Sequence, residues 1–185
     1  MRIPPLPHDE WDDDKVQDVI AKSTSPDRRA PGASGNAIAT LVQHPDLAGA
    51  YLPFSAYLLA GSTLPPALRE LAILRVAHRA DCAYEWSHHV PMGRRAGLTD
   101  ADIEAARGAD TGDHLHRLVI AAVDELYDRT TVSEQTWQGL AGHLERRQVM
   151  DLVFTVGGYL TLAMGLNSFG VQPESDDWRE DAHSA

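Results

Sequence analysis

Cysteine is scarce in this sequence: Cys82 is the only one among 185 residues. A single thiol excludes a disulfide within the chain, and it leaves no second thiol for a dithiol–disulfide cycle in one subunit. Two interpretations of Cys82 stay open: a small buried hydrophobic residue, or a lone reactive thiol.

Positive charge is also in deficit, with 16 basic against 27 acidic residues and a net charge of −11. This charge argues against electrostatic binding to nucleic acid or to an anionic membrane surface. Much of the acid lies in "HDEWDDDK" near the start and in "PESDDWREDAHSA" at the end. Both stretches are typical of solvated tails.

The sequence has little that resembles a targeting or membrane segment. The N-terminal "MRIPPLPHDEW" lacks the apolar core of a signal peptide. The longest apolar run, "VMDLVFTVGGYLTLAMGL", contains Asp151, Thr155 and two adjacent glycines, which predicts a buried helix and not a membrane span. With the lone cysteine, these features predict a cytoplasmic protein.

Patterns of period two are missing as well, so the sequence predicts an all-α helical bundle. We predict three regions. Residues 1–35 form a flexible N-terminal arm with a short helix at "DKVQDVIAKS", and residues 36–172 form the helical domain. Residues 173–185 form an acidic C-terminal tail, and residues 1–14 are expected to lack structure.

Capping residues predict where several helices start and end. A hydroxyl or carboxylate is expected at the start of a helix, and a glycine just after its end. The predicted caps are Ser62 or Thr63, Asp81, Gly97, Thr99 with Asp102, and Ser133.

Glycines interrupt the last predicted helix, residues 146–168, at positions 157, 158 and 165. A glycine inside a helix costs stability unless a neighbour packs closely against it. These glycines therefore predict close helix contacts, within the core or between subunits.

The stretch "ADCAYEWSHHVPMGRRAGLTDADI", residues 80–103, concentrates the reactive side chains. On a helix Cys82, Glu85 and His89 share one face, whereas His88 points about 100° away. A carboxylate four residues before an imidazole can hydrogen-bond to it, so Glu85 and His89 are predicted to form an acid–base pair. A surface Glu–His contact and a three-ligand metal site are the alternatives; the spacing on one straight helix argues against the metal.

The preceding helix supplies Glu70, which is expected near Cys82 if the two helices pack antiparallel. The alternative is an ion-pair network of Glu70 with Arg69 and Arg75. Aromatic residues flank the reactive stripe, and they are either packing residues or part of a substrate pocket. They are Tyr84 and Trp86, with Tyr159 and Asn167 on the last helix as further candidates for the pocket wall.

The segment "LRELAILRVAHRADCAYEWSHHVPMGRRAGLTDADIEA" resembles the carboxymuconolactone decarboxylase and AhpD-like alkylhydroperoxidase superfamily. The later "VGGYLTLAMGLNSFGVQ" resembles the closing helix of its "YEW" branch. The resemblance implies an AhpD-like helical bundle that assembles into trimers or hexamers, with sites close to subunit contacts. It implies a small-molecule substrate and no cofactor or metal.

The peroxidase branch of this superfamily uses a glutamate, two cysteines in CxxC and a histidine as a redox relay. Glu70, Cys82 and His89 stand at three of these positions, but Glu85 stands at the second cysteine. Without a resolving thiol, the resemblance leaves only a one-cysteine peroxidase that depends on an external thiol.

The decarboxylase branch is more similar, because it carries a glutamate and a histidine at the positions of Glu85 and His89. This resemblance implies proton transfer on a small carboxylated lactone or keto acid, with His89 as proton carrier and Glu85 as its orienter. Arg75, Arg94 or Arg95 is a candidate for binding a substrate carboxylate.

Three functions follow from the sequence as hypotheses. The first is a cofactor-independent lyase, decarboxylase or isomerase, with Glu70, Cys82, Glu85 and His89 as the predicted catalytic residues. The second is a one-cysteine peroxidase or thiol-redox protein with peroxiredoxin activity centred on Cys82. The third is a non-catalytic oligomeric binding protein.

Overall fold

The computed structural model describes residues 1–24, 26, 29 and 34–174, and within these ranges it contains helices and no strand. This confirms the all-α class. A 3₁₀ turn at His8–Glu10 precedes the first helix, and a π turn at Tyr57–Gly61 follows the third. The helices are α1 Asp14–Ser23, α2 Asn36–Leu41, α3 Pro45–Ala56, α4 Pro66–Arg79, α5 Ala83–Arg95, α6 Asp100–Ala106, α7 His114–Arg129, α8 Glu134–Ala141 and α9 Arg146–Phe169.

The chain divides into two compact units. The first comprises Met1–Tyr57 and the chain from Gly165 onward, and the second comprises Leu58–Met164. The predicted boundaries near residues 35 and 172 stay a prediction. The acidic tail lies outside the described residues from position 175 on.

The first unit has its own apolar core, to which the N-terminal residues contribute. Leu6 and Trp11 are buried, and the Trp11 indole donates a hydrogen bond to the Leu6 carbonyl at 3.1 Å. The Asp13 carboxylate accepts from two backbone N–H groups at the start of α1. The expectation that residues 1–14 lack structure is therefore wrong, because burial of Leu6 and Trp11 fixes this segment.

Helix α4 lies in the core of the second unit. Residues 71–74 and Val76 are fully buried, so α4 is apolar on most of its circumference. Arg75 interrupts this run and is satisfied by two hydrogen bonds of 2.8 Å to the Asp124 carboxylate on α7. α4 therefore packs against neighbours on several sides, including α5, α6 and α7.

Several predicted caps are confirmed. Gly97 follows α5 with φ +102°, and the Leu98 N–H donates to the Gly93 carbonyl at 2.9 Å, as a glycine-ended helix requires. Thr99 and Asp102 form a reciprocal capping box on α6. The Ser133 side chain accepts from an N–H at the start of α8.

Two predicted caps are wrong. Pro65 occupies the cap position of α4, and Thr63 instead donates its N–H and hydroxyl to Asp151 at 2.6 and 2.7 Å. Asp81 adopts a left-handed backbone with φ +49°, which leaves Cys82 at the cap position of α5. In both cases the helix begins later than the predicted cap, by two or three residues at α4 and by one residue at α5.

By length and composition alone, helix α9 could cross a membrane, and it is the one helix of the described ranges that could. Half of its most apolar window is buried inside the protein. Val149, Leu152 and Val156 lie in the core of the second unit. These contacts are typical of a core helix in a globular protein.

The predicted close packing at the α9 glycines is not made within the chain at Gly157. A Cβ added there would meet no atom of the residues that the structure describes within 4 Å, and Gly157 is exposed. The alternative, a contact between subunits, stays a prediction.

Candidate active site

Helices α4 and α5 position the predicted reactive side chains. Only Ala80, Asp81 and Cys82 connect them, so they pack side by side in opposite directions. Gly93 faces α4, since a Cβ there would lie 3.4 Å from Leu74 Cδ1 and 3.7 Å from Glu70 Cβ. Residues of α5 are thereby held against Glu70 of α4.

A buried hydrogen bond joins the two helices. His89 Nδ1 lies 2.8 Å from Glu70 Oε2, and the two residues are 7% and 1% exposed. The other oxygen of Glu70 accepts from Arg69 Nε and Nη2, both at 3.3 Å. Both oxygens of Glu70 are thus satisfied, as a buried carboxylate requires.

The imidazole of His89 has a fixed orientation. Its ring meets the ring of Tyr159 edge to face, with centroids 5.1 Å apart and an angle of 88°. A hydrogen bond from Nδ1–H to the carboxylate of Glu70 leaves Nε2 as the nitrogen that accepts or delivers a proton.

The predicted hydrogen bond between Glu85 and His89 is wrong. Glu85 is 2% exposed, and within the described part of the chain no nitrogen or oxygen atom hydrogen-bonds to its carboxyl group, whose neighbour is the Cys82 thiol. Helical spacing placed both side chains on one face of α5, but Glu70 of α4 binds the imidazole. Of the ion-pair network considered for Glu70, Arg69 takes part, whereas Arg75 pairs with Asp124.

Burial raises the pKa of Glu85 to about 8, and interaction with the Cys82 thiol lowers it by less. The side chain is therefore mainly a neutral carboxylic acid at pH 7. Such an acid already carries a proton that it can donate.

The thiol of Cys82 is buried beside Glu85. Burial, followed by the charge of Glu85, raises the pKa of Cys82 to about 12, although the backbone N–H groups of Glu85 and Tyr84 oppose this rise. The thiol is therefore protonated at neutral pH, and thiolate chemistry is unfavourable in this state.

A cleft of about 300 Å³ opens at the start of α5. Cys82 and Trp86 line it, whereas Glu70, Glu85 and His89 do not. Its lining comprises Ala77, His78, Asp81, Cys82, Ala83, Trp86 and Arg107.

Of the residues predicted to bind substrate, Trp86 is the one that lines this cleft. Tyr84 is buried and stacks on His88 with ring centroids 4.2 Å apart, and Tyr159 contacts His89. Asn167 lies on α9 in the first unit and is exposed. Binding roles for these four residues stay predictions.

Sequence reasoning missed Arg107, whose guanidinium lies 4.5 Å from the centre of the Trp86 ring. Arg75 and Arg94, which were predicted instead, pair with Asp124 and Asp100. No local signal marks Arg107, because it directly follows α6 and reaches Trp86 only through tertiary packing. Within the described ranges, no three His, Cys, Asp or Glu side chains converge to hold a metal ion.

The chain has clear structural relatives. The Carboxymuconolactone decarboxylase family model matches residues 45–124. No curated protein matches the chain.

Among solved structures, an uncharacterized peroxidase-related protein of Ralstonia eutropha JMP134 with an alkylhydroperoxidase AhpD core has a TM-score of 0.73 at 17% identity, covering 97% of this chain and 96% of its own. A peroxidase-related protein of Silicibacter sp. TM1040 has a TM-score of 0.71 at 15% identity, covering 97% and 93%.

The debrominase Bmp8 is similar in fold too. A cysteine-to-alanine variant in complex with 2,3,4-tribromopyrrole has a TM-score of 0.73 at 15% identity, covering 100% of this chain and 96% of Bmp8. At these identities the likeness shows a shared fold. Residues 45–124 thus resemble the carboxymuconolactone decarboxylase family, and the chain shares its fold with AhpD-like proteins.

Proposed function

We propose that the chain is a cofactor-independent acid–base enzyme that decarboxylates or isomerises a small organic acid or lactone. Glu85 carries this proposal. It is a buried carboxyl group to which no nitrogen or oxygen of the described residues hydrogen-bonds, and burial keeps it protonated near neutral pH. An unpaired buried carboxylic acid costs stability, and a proton-transfer role gives a reason for its presence.

Two carboxyl groups take opposite states in this proposal. Glu70 binds Arg69 and His89 and serves as the charged partner that orients the imidazole. Glu85 has no cation bonded to it and serves as the acid. Enzymes often assign acid and base roles by placing two titratable groups in environments that hold their pKa values apart.

Cys82 connects these groups to the substrate. It lines the cleft and adjoins Glu85. In decarboxylation the bond to the carboxylate carbon breaks and carbon dioxide leaves. The remaining carbanion takes the thiol proton while the thiol takes the proton of Glu85. The net change is one proton from Glu85 to carbon, and a proton from solvent restores it. His89, one helical turn further on and not hydrogen-bonded to Glu85, is the relay that we propose for this return.

The test is turnover of a panel of small carboxylated lactones and keto acids, followed by release of carbon dioxide. H89Q and E85Q should each lower kcat by about 10²–10⁴-fold, the usual contribution of a positioned acid or base. C82S keeps a transferable proton and should retain most activity, whereas C82A should lose it.

H88Q is the matched control for H89Q. His88 is the neighbouring histidine, and it contacts the Tyr84 carbonyl at 2.9 Å instead of Glu70. Equal activity of H89Q and H88Q across the panel would contradict the acid–base assignment.

A second candidate is a one-cysteine peroxidase, and one observation favours it: Cys82 is the predicted catalytic residue that lines the cleft. The thiol would reduce a hydroperoxide to an alcohol and become a sulfenic acid, which two external thiols would return to the thiol as they form a disulfide. The raised pKa of Cys82 opposes it. Titration of free thiol after one equivalent of peroxide separates the candidates, since loss of the thiol within seconds favours the peroxidase.

A further inference from the structure

We propose that the cleft beside Cys82 selects a small planar monocarboxylate, with Arg107 binding the carboxylate and Asp81 rejecting a second one. This inference rests on the proposed function, because it names the substrate class of the same site. It adds two residues outside the stripe of Cys82, Glu85 and His89.

Arg107 is held at the cleft by an aromatic ring. It directly follows α6, lines the cleft, and places its guanidinium carbon 4.5 Å from the centre of the Trp86 ring. Stacking on an aromatic face restricts the guanidinium before a ligand arrives. Less conformational entropy is then lost on binding.

The hydrogen-bond donors of Arg107 are poorly engaged by the protein. The carboxylate beside it belongs to Glu104, whose oxygen is 3.9 Å from Nε, beyond hydrogen-bonding distance. Arg75 differs, because it makes two bonds of 2.8 Å to Asp124. Arg107 can therefore offer two parallel N–H groups to a ligand carboxylate.

The rest of the cleft suits a flat ring. His78 meets Trp86 at 63° with centroids 6.3 Å apart, and Ala77 and Ala83 contribute small apolar surfaces. Aromatic edges and small side chains leave room for a planar unsaturated ligand. Such a ligand would reach Cys82 in the same lining.

Asp81 sets a limit on the ligand's charge. It lines the same cleft, and its backbone has φ +49°. Apart from His78, the lining has one basic residue, Arg107, and one acidic residue, Asp81. A second ligand carboxylate would meet Asp81 without a second arginine, and this repulsion disfavours dicarboxylates.

The test uses the full chain and three probes that share a benzene ring, benzoate, benzamide and terephthalate. Binding of each is titrated by NMR. Wild type should bind benzoate more tightly than terephthalate. R107Q should weaken benzoate at least about tenfold, the usual effect of losing a charge-assisted hydrogen bond, and should leave benzamide unchanged. R94Q is the control, since Arg94 pairs with Asp100 and does not line the cleft.

D81N should strengthen terephthalate binding about tenfold, because it removes one close like charge. The affinity for benzoate should change little. Asparagine tolerates the left-handed backbone of this position. R107K keeps the charge without the planar fork, so it should give benzoate binding between wild type and R107Q. It also serves as the second variant if R107Q does not fold.

Equal benzoate affinity in wild type, R107Q and R107K overturns the inference, and so does tighter binding of terephthalate than of benzoate by wild type. The proposed function fails separately. If R107Q loses benzoate while H89Q and E85Q keep full turnover, the cleft assignment stands and the acid–base assignment falls. If R107Q keeps benzoate binding while H89Q and E85Q lose turnover, the role of Arg107 falls and the acid–base assignment stands.

Discussion

At the scale of single residues, the two buried glutamates, one on α4 and one on α5, differ in what surrounds them. Glu70 accepts hydrogen bonds on both oxygens, from Arg69 and from His89. Glu85 has only the Cys82 thiol beside it among the polar groups that the structure describes, and burial raises its pKa to about 8. The same side chain is therefore held by hydrogen bonds at one position and kept mainly as a neutral acid by burial at the other.

Replacing Glu85 with glutamine should change how stability depends on pH. The folded pKa lies above the unfolded value of 4.5, so the unfolded chain gives up this proton first. The free energy of unfolding therefore falls as pH rises from about 4.5 to about 8, by up to ~1.4 kcal/mol per pH unit. E85Q has no such proton and should lose this slope.

Urea unfolding between pH 5 and 8.5 measures the effect, with E134Q as the control because Glu134 is exposed. E85Q should gain stability over wild type at pH 8, whereas E134Q should follow wild type. Parallel curves for E85Q and wild type would show that Glu85 ionises normally in the folded protein.

At the scale of helices, the site depends on how closely α5 approaches α4. Gly93 faces Leu98, Leu74 and Glu70, and a Cβ there would already be 3.0 Å from Leu98 Cδ1. The short connection through Asp81 fixes one end of the pair, and Gly93 permits the contact one turn beyond His89. Glu70 and His89 meet because both conditions hold.

Gly93→Val should destabilise the protein by about 1–3 kcal/mol, the usual cost of overpacking, and should separate Glu70 from His89. Gly157→Ala is the comparison, because its new methyl meets no atom within 4 Å. It should stabilise the single chain by about 0.5–1 kcal/mol through helix propensity. Urea unfolding reports both values, and the imidazole NMR signals report the His89 environment.

A change in the free energy of unfolding opposite in sign to the expected one, in either variant, would contradict this account. Stability equal to wild type in G93V would mean that α5 can shift without cost. A loss of stability in G157A at low protein concentration would mean that a neighbour within the chain lies against that position.

At the scale of the whole molecule, the second unit exposes apolar side chains along one face of α9. Met150, Phe154 and Met164 are 52%, 56% and 60% exposed, and Gly157 lies on the same face. Their spacing of four, three and seven residues follows the seam of packed helices. The predicted homo-oligomer would cover this face, so we expect assembly through α9.

Phe154→Glu should therefore reduce the assembled mass toward the single chain of 20.2 kDa. A buried charge without a partner disfavours an apolar interface. Light scattering after gel filtration measures the mass. W137E is the control, since Trp137 is 40% exposed on α8 and lies off this face. Equal masses for F154E and wild type would place the contact elsewhere or show a monomer.

Local patterns in the sequence were enough for the helices and several of their ends. The absence of period-two alternation indicated an all-α fold, and Gly97, Thr99 with Asp102, and Ser133 marked real boundaries. These features depend on residues within one turn of each other, so a single sequence contains the necessary information. The resemblance to the superfamily followed equally from the ordered motif around Cys82.

Tertiary structure alone decided the partners of the reactive side chains. Spacing along α5 paired His89 with Glu85, but the packing of α4 against α5 brought Glu70 to His89 and left Glu85 alone. The same packing carried Arg107 to Trp86 from a position with no local signal. Hydrogen bonding and desolvation depend on atoms from distant parts of the chain, and periodicity within one helix cannot specify them.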